Sequence, residues 1–239
     1  MSTSLEFARV LALRLQHSSV CGLAALATAS TAFAGPVWEL DYTDDAKDTA
    51  TTAQVITAST LTQINGKLTG SALVGDSDFV DMYLLLVDKP AIVSFSTAGG
   101  ASGGYANFDS QLFLFRADGD LQNPKALAAL ANRNANPQTD GAFIGNQSSD
   151  GNFKIDVPGL YFIAIAGVGA QPIGKNSAAL WPNLGSLEVG FGGLLPHVTW
   201  GQQGATGEYS IRVTGVTGVP APGALALLGL AGLVGRRRR

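Results

Sequence analysis

Short apolar runs, each bounded by Gly, Pro, Asp or Asn, recur through the middle of the chain: Asp78–Val87, Pro90–Thr97, Asp109–Arg116, Asn152–Val157, Gly159–Gly167 and Glu208–Gly215. Their length and their β-branched and aromatic content predict strands, and Ser59–Gly70 supplies an opening one. Within Gln111–Arg116, Leu112 and Leu114 fall on one face while Phe113 and Phe115 fall on the other. That strand is therefore expected to be covered on both sides. Asn123–Asn134 reads either as a short helix, with Asn123 capping and Pro124 in the first turn, or as a further strand. Val168–Gly207 is punctuated by Gly and Pro and is expected to be a long loop region holding a strand or two. No internal repeat stands out. The economical fold is all-β, an antiparallel β-sandwich or jelly roll of about seven to nine strands.

Both ends of the chain differ from this body. Residues 1–34 carry Arg9 and Arg14 ahead of an apolar stretch, followed by Ala32-Phe33-Ala34, the small-x-small pattern read by signal peptidase. Cleavage is expected after Ala34, which leaves a body of residues 35–216 and a tail of residues 217–239. Cys21, the single cysteine, departs with the leader, so the exported product has neither disulfides nor thiolate chemistry.

Composition sharpens the reading only after these ends are removed. The 239-residue chain is 46% hydrophobic and 14% charged, enough for a sizeable core and too apolar for general disorder. Its formal charge of −3 hides an asymmetry. Residues 35–222 hold nine Lys and Arg against seventeen Asp and Glu, a net charge of −8, because six arginines sit in the two ends. An acidic surface without basic clusters excludes nucleic acid as a partner and suits divalent cations.

The tail runs from Val219-Pro220-Ala221-Pro222 through a Leu/Ala/Gly-rich segment to Arg236, Arg237, Arg238 and Arg239. Gly223–Gly235 would make about 20 Å of helix against a hydrocarbon core of about 30 Å, so the expected span is transient, with the arginines left cytoplasmic. Motif, apolar segment and basic end together resemble the PEP-CTERM sorting signal, with Ala221 standing where the motif has Glu. The resemblance implies recognition and cleavage by an exosortase, then delivery to the bacterial surface, the extracellular matrix or its exopolysaccharide.

The order of segments from Thr52 to Gly215 resembles the pre-peptidase C-terminal domain group, β-sandwiches found beside secreted enzymes or alone. Some related modules hold calcium between an acidic N-terminal segment and acids before an early strand. The corresponding acids here are Glu39, Asp41, Asp44, Asp45 and Asp48, and then Asp76, Asp78 and Asp81. By that resemblance Asp45, Asp78 and Asp81 are the candidate calcium ligands. Calcium takes six to eight oxygen ligands, which carboxylates from two segments can help furnish. Solvated, turn-forming acidic stretches account for the same residues without an ion.

Catalytic patterns are weaker. Gly100–Gly104 fits G-x-S-x-G around Ser102, yet a strand rather than a helix is expected to follow it. His197 is the single histidine left after export, with no nucleophile indicated beside it. Gly167-x-Gly169 lacks the third glycine of a dinucleotide loop. The expectation is a non-catalytic surface or matrix protein. The alternative is a carbohydrate-binding or calcium-stabilised adhesion module, in which Trp181 and Trp200, with Tyr105, offer stacking faces to polysaccharide.

Overall fold

The computed structural model describes residues 34–38 (backbone), 45–70, 78–99, 103–120, 123–133, 141–182, 184, 189–191, 195–201 and 203–220. The expected leader up to residue 33, Ala221, Pro222 and the terminal arginines lie outside these residues, as do Ser102, Glu39, Asp41, Asp44 and Asp76. Among the described residues no helix is long and apolar enough to cross a membrane.

Fifteen strands follow one another in the described chain: β1 (Ala34–Trp38), β2 (Gln54–Val55), β3 (Thr60–Leu68), β4 (Val80–Val87), β5 (Ser94–Ser96), β6 (Tyr105–Ala106), β7 (Ser110–Ala117), β8 (Ala126–Arg133), β9 (Phe143–Ile144), β10 (Gly159–Gly167), β11 (Gln171–Gly174), β12 (Val189–Gly190), β13 (His197–Gly201), β14 (Gly207–Thr214) and β15 (Val216–Thr217). One sheet has the order β1-β3-β14-β5-β9, with β6 also on β14; the second has the order β12-β8-β7-β10-β4-β15, with β2 also on β4. β11 and β13 form a separate two-stranded ribbon. The architecture is thus all-β and sandwich-like, as the apolar runs predict.

The period-2 pattern of the second sheet explains why it sits between two apolar layers. Tyr83, Leu85 and Val87 of β4, Leu112 and Leu114 of β7, and Ile163 and Ile165 of β10 join Ile64, Phe95, Ile211 and Val213 of the first sheet in the larger core. Val80, Met82 and Leu84, Phe113 and Phe115, and Phe162, Ala164 and Ala166 form a second core with Ala170, Leu180 and Trp181. The division of Leu112 and Leu114 from Phe113 and Phe115 is the one expected. What covers the outer face is the Gly/Pro-punctuated region after Val168, whose embedded strands are β11, β12 and β13.

Several local expectations change. The sheets are mixed: β1 pairs parallel with β3 and β2 parallel with β4, because the N-terminal segment runs beside the sheets without a hairpin. Strands exceed the expected seven to nine because edge pairings of two to five residues add to the long ones. Pro90–Thr97 opens as a 3-10 turn over Pro90–Ile92, where Pro90 has no N–H for a ladder, and only Ser94–Ser96 is strand. Asn123–Asn134 resolves in favour of strand β8. Asn152–Val157 is not a strand; it contributes one bridge, Gln147 to Lys154. Asn152 N donates to the Asp150 carboxylate and Phe153 N to Ser148 Oγ, so a polar turn takes backbone donors a ladder would use. At the C-terminal end, Gly218 N donates to Ala58 O and Val219 N to Ile56 O, so the body stays hydrogen-bonded past the expected boundary at 216. Val219 and Pro220 of the expected sorting motif are described; Val219 packs against the outer core.

Candidate metal centre

Asp45, Asp78 and Asp81 converge: one carboxylate oxygen from each lies within 4.8 Å of the other two. Three pieces of local structure bring them together. Asp81 is the second residue of β4 and, by alternation with the outward Val80 and Met82, points to the inner face, where it is fully buried. Tyr209 of β14 donates its hydroxyl to Asp81 Oδ2 at 2.5 Å and lies 2.5 Å from the Tyr83 hydroxyl. Asp81 is thereby fixed from the opposite sheet.

Asp78 precedes β4 and is 8% exposed. Its Oδ2 accepts from Thr69 N at 2.6 Å and Thr69 Oγ1 at 2.7 Å, just past the end of β3. Its Oδ1 is buried and accepts no hydrogen bond from the described residues. Burial pushes the Asp78 carboxyl above the ordinary carboxylate range, the two Thr69 bonds pull it down, and the Asp45 charge raises it again. A buried carboxylate beside other carboxylates is a group that a cation would stabilise.

Asp45 comes from the segment leading into β2. Ala46 is buried in the larger core and its carbonyl accepts from Gln54 N. Lys47 O accepts from Met82 N, and Asp48 O accepts from Trp200 Nε1 at 2.7 Å. The acidic segment is therefore held by the inner core, by β4 and by the ribbon over the outer face.

Calcium–oxygen bonds of about 2.3–2.6 Å place any two donors of one ion within roughly 5 Å of each other. The observed 4.8 Å spread meets that limit, and the all-oxygen donor set is the hard type calcium prefers. The residues present fit the ion. Asp45, Asp78 and Asp81 would hold it, and backbone carbonyls or water would complete the shell. Its chemistry there would be electrostatic, offsetting the charge of three converging carboxylates.

The other sequence candidates are placed elsewhere. Trp181 is 4% exposed, with its ring against Phe113, Phe115 and Phe191; it is a core residue, and its faces are used inside the protein rather than offered to a ligand. Trp200 packs edge-on to Phe113 and beside His197 while its indole N–H holds the acidic segment. Two apolar faces on one sheet require aromatic cover, and that requirement absorbs both tryptophans. Tyr105, in contrast, is exposed. His197 is not in a loop; it opens β13, buried against Phe115 and Trp200. Burial lowers its pKa to about 4, against a hydrogen bond with the Thr199 backbone that raises it, so the imidazole is neutral.

Sequence reasoning missed Thr69, Tyr209 and Trp200 as supports of the acids. They reach Asp78, Asp81 and Asp48 through sheet register and cross-sheet packing, which no spacing along the chain encodes. Comparison with protein-family models finds no match, and comparison with curated proteins finds none.

Proposed function

We propose that the chain is an exported, non-catalytic β-sandwich protein of a bacterial surface or extracellular matrix, clamped by a calcium ion at Asp45, Asp78 and Asp81. The observation that carries the cation is the convergence of three carboxylates from separate segments, one of them with a buried oxygen that accepts no hydrogen bond from the described residues. An extracellular setting suits such a site, because calcium modules of that compartment work at about 0.1–1 mM. Export, exosortase processing and contact with exopolysaccharide rest on the two chain ends and on the acidic body between them. The ion would tie the segment before β2 to the start of β4, so the protein would be stiff outside the cell and looser before it arrives.

Calorimetric titration of the protein with calcium is the direct test, paired with melting curves in calcium and in chelator. One saturable site and a melting temperature that rises with calcium are expected; Asp78→Asn should abolish the rise. In chelator that variant should melt no lower than the wild type, because burial already disfavours the ionised Asp78. Melting that ignores calcium would end the reading of the site. Mass spectrometry of the mature protein from its own cells and medium tests the address, and an intact leader and tail on cytosolic protein would refute it.

A further inference from the structure

Lys47 stands where the backbone makes an unusual choice. Its φ of 64° is left-handed, a conformation that is unfavourable for a side-chain-bearing residue and is normally given to Gly or Asn. Both sides of the residue are pinned: its N–H donates to Asp45 Oδ1 at 2.8 Å, and its carbonyl accepts from Met82 N at 2.8 Å, one residue past Asp81. From this strained turn the ammonium returns to the acids, with Nζ 3.7 Å from Asp45 Oδ2. Lys47 thus holds both oxygens of Asp45, Oδ1 through its N–H and Oδ2 through its ammonium.

We propose that Lys47 is a tethered counter-cation that competes with the divalent ion for the Asp45–Asp78–Asp81 cluster. The inference rests on the calcium reading of that cluster and adds its regulation. Without a divalent ion, one positive charge on a flexible stem offsets part of the repulsion between the acids. When the ion enters, it must displace the ammonium from Asp45 Oδ2, and the half-exposed stem has solvent to move into. A Gly or Asn at 47 would relieve the turn but bring no charge. A lysine that accepts the strained conformation places a positive charge that weakens the site, so it fills only where the ion is abundant. Strained backbone at a ligand site is where such a functional choice is expected.

The experiment compares calcium affinity, by titration calorimetry at low salt, for the wild type, Lys47→Gln and Lys47→Arg. All three side chains meet the same backbone strain, so they differ chiefly in charge. Lys47→Gln should bind on the order of tenfold more tightly, the size expected when a single charge is removed beside a divalent ion in a partly exposed setting. Lys47→Arg should stay within about twofold of the wild type. The gain in Lys47→Gln should shrink as sodium chloride rises through about 0.5 M, since screening weakens the competitor. Equal affinities for wild type and Lys47→Gln would overturn the role of Lys47 and leave the metal site standing. Absence of calcium binding in all three would overturn the metal reading, and this inference with it.

Discussion

His197 provides a direct test of how the ribbon closes over the outer face of the second sheet. The imidazole is 8% exposed, its Nε2 is buried without a hydrogen-bond partner, and its pKa falls from 6.5 to about 4. Above pH 6.5 the ring is neutral in both folded and unfolded chains and does not affect the balance. As pH falls below 6.5 the unfolded chain takes up a proton that the folded chain refuses, so stability declines until about pH 4, where the folded ring is also protonated. At roughly 1.4 kcal/mol per pH unit, the gap amounts to about 3 kcal/mol lost between those limits. With urea slopes of about 1–3 kcal/mol/M, the unfolding midpoint should drop by about 1–3 M.

The measurement is urea unfolding in chelator at pH 7.5, 6, 5 and 4 for the wild type and His197→Gln. Asp78 works in the opposite direction, because a raised carboxyl contributes stability that grows as pH falls. Subtracting the variant removes that contribution, which both proteins share. The difference, wild type minus variant, should fall by about 3 kcal/mol from pH 7.5 to 4. Parallel curves would refute the reasoning, since they would mean that the ring reaches water in the folded protein and that the ribbon does not seal the second core.

Three further predictions concern the supports of the site and the fold. Trp200→Phe keeps an aromatic ring against Phe113 but loses the bond to Asp48 O; calcium affinity in the calorimeter should fall several-fold although no ligand has changed, and tryptophan emission of the wild type should shift on calcium addition. Tyr209→Phe removes the hydroxyl between Tyr83 and Asp81 and should cost about 1–3 kcal/mol in urea unfolding, because a buried donor and a buried acceptor each lose a partner. Gly167→Ala would drive a Cβ into the backbone of Ala205, where the chain leaving β10 passes the chain entering β14; it should lower stability by about 3 kcal/mol or more, or prevent folding, as judged by circular dichroism and melting.

The body of the fold was legible because its long strands carry a strong period-2 signal. Leu112 and Leu114 against Phe113 and Phe115 told of two cores before any neighbour was known. What the sequence could not show was the identity of the second cover, since the described residues of 168–201 carry strands of two to five residues whose pairing is set by the sheet beneath them. Short polar turns mislead for the same reason: the β-like composition of Asn152–Val157 loses to Asp150 and Ser148, whose side chains accept from Asn152 N and Phe153 N. Asp45, Asp78 and Asp81 were named through resemblance, and the structure does bring them together. Spacing alone would have selected none of them from seventeen acids.

The two covers and the acid cluster form one physical system, and this bears on how a bound ion would act on the fold. Attachments of the segment at 45–48 include Ala46 in the inner core, its carbonyl accepting from Gln54 N, the Lys47 carbonyl on β4, and the Asp48 carbonyl under Trp200 from the outer ribbon. Each is a modest contact, since a net hydrogen bond contributes only about 1 kcal/mol. Three carboxylates at the same place work against closure unless a cation joins them. A bound ion would therefore fasten an early segment to the central sheet, as a disulfide can, and would do so reversibly. The same linkage makes the ribbon sensitive to the ion through Trp200, so loss of calcium should loosen the outer cover before it unfolds the inner core. Hydrogen exchange resolves that order: in chelator the amides of β11 and β13 should exchange faster than in calcium, while those of β7 and β10 stay protected in both. Uniform acceleration across all four strands would show instead that the ion stabilises the whole sandwich as one unit.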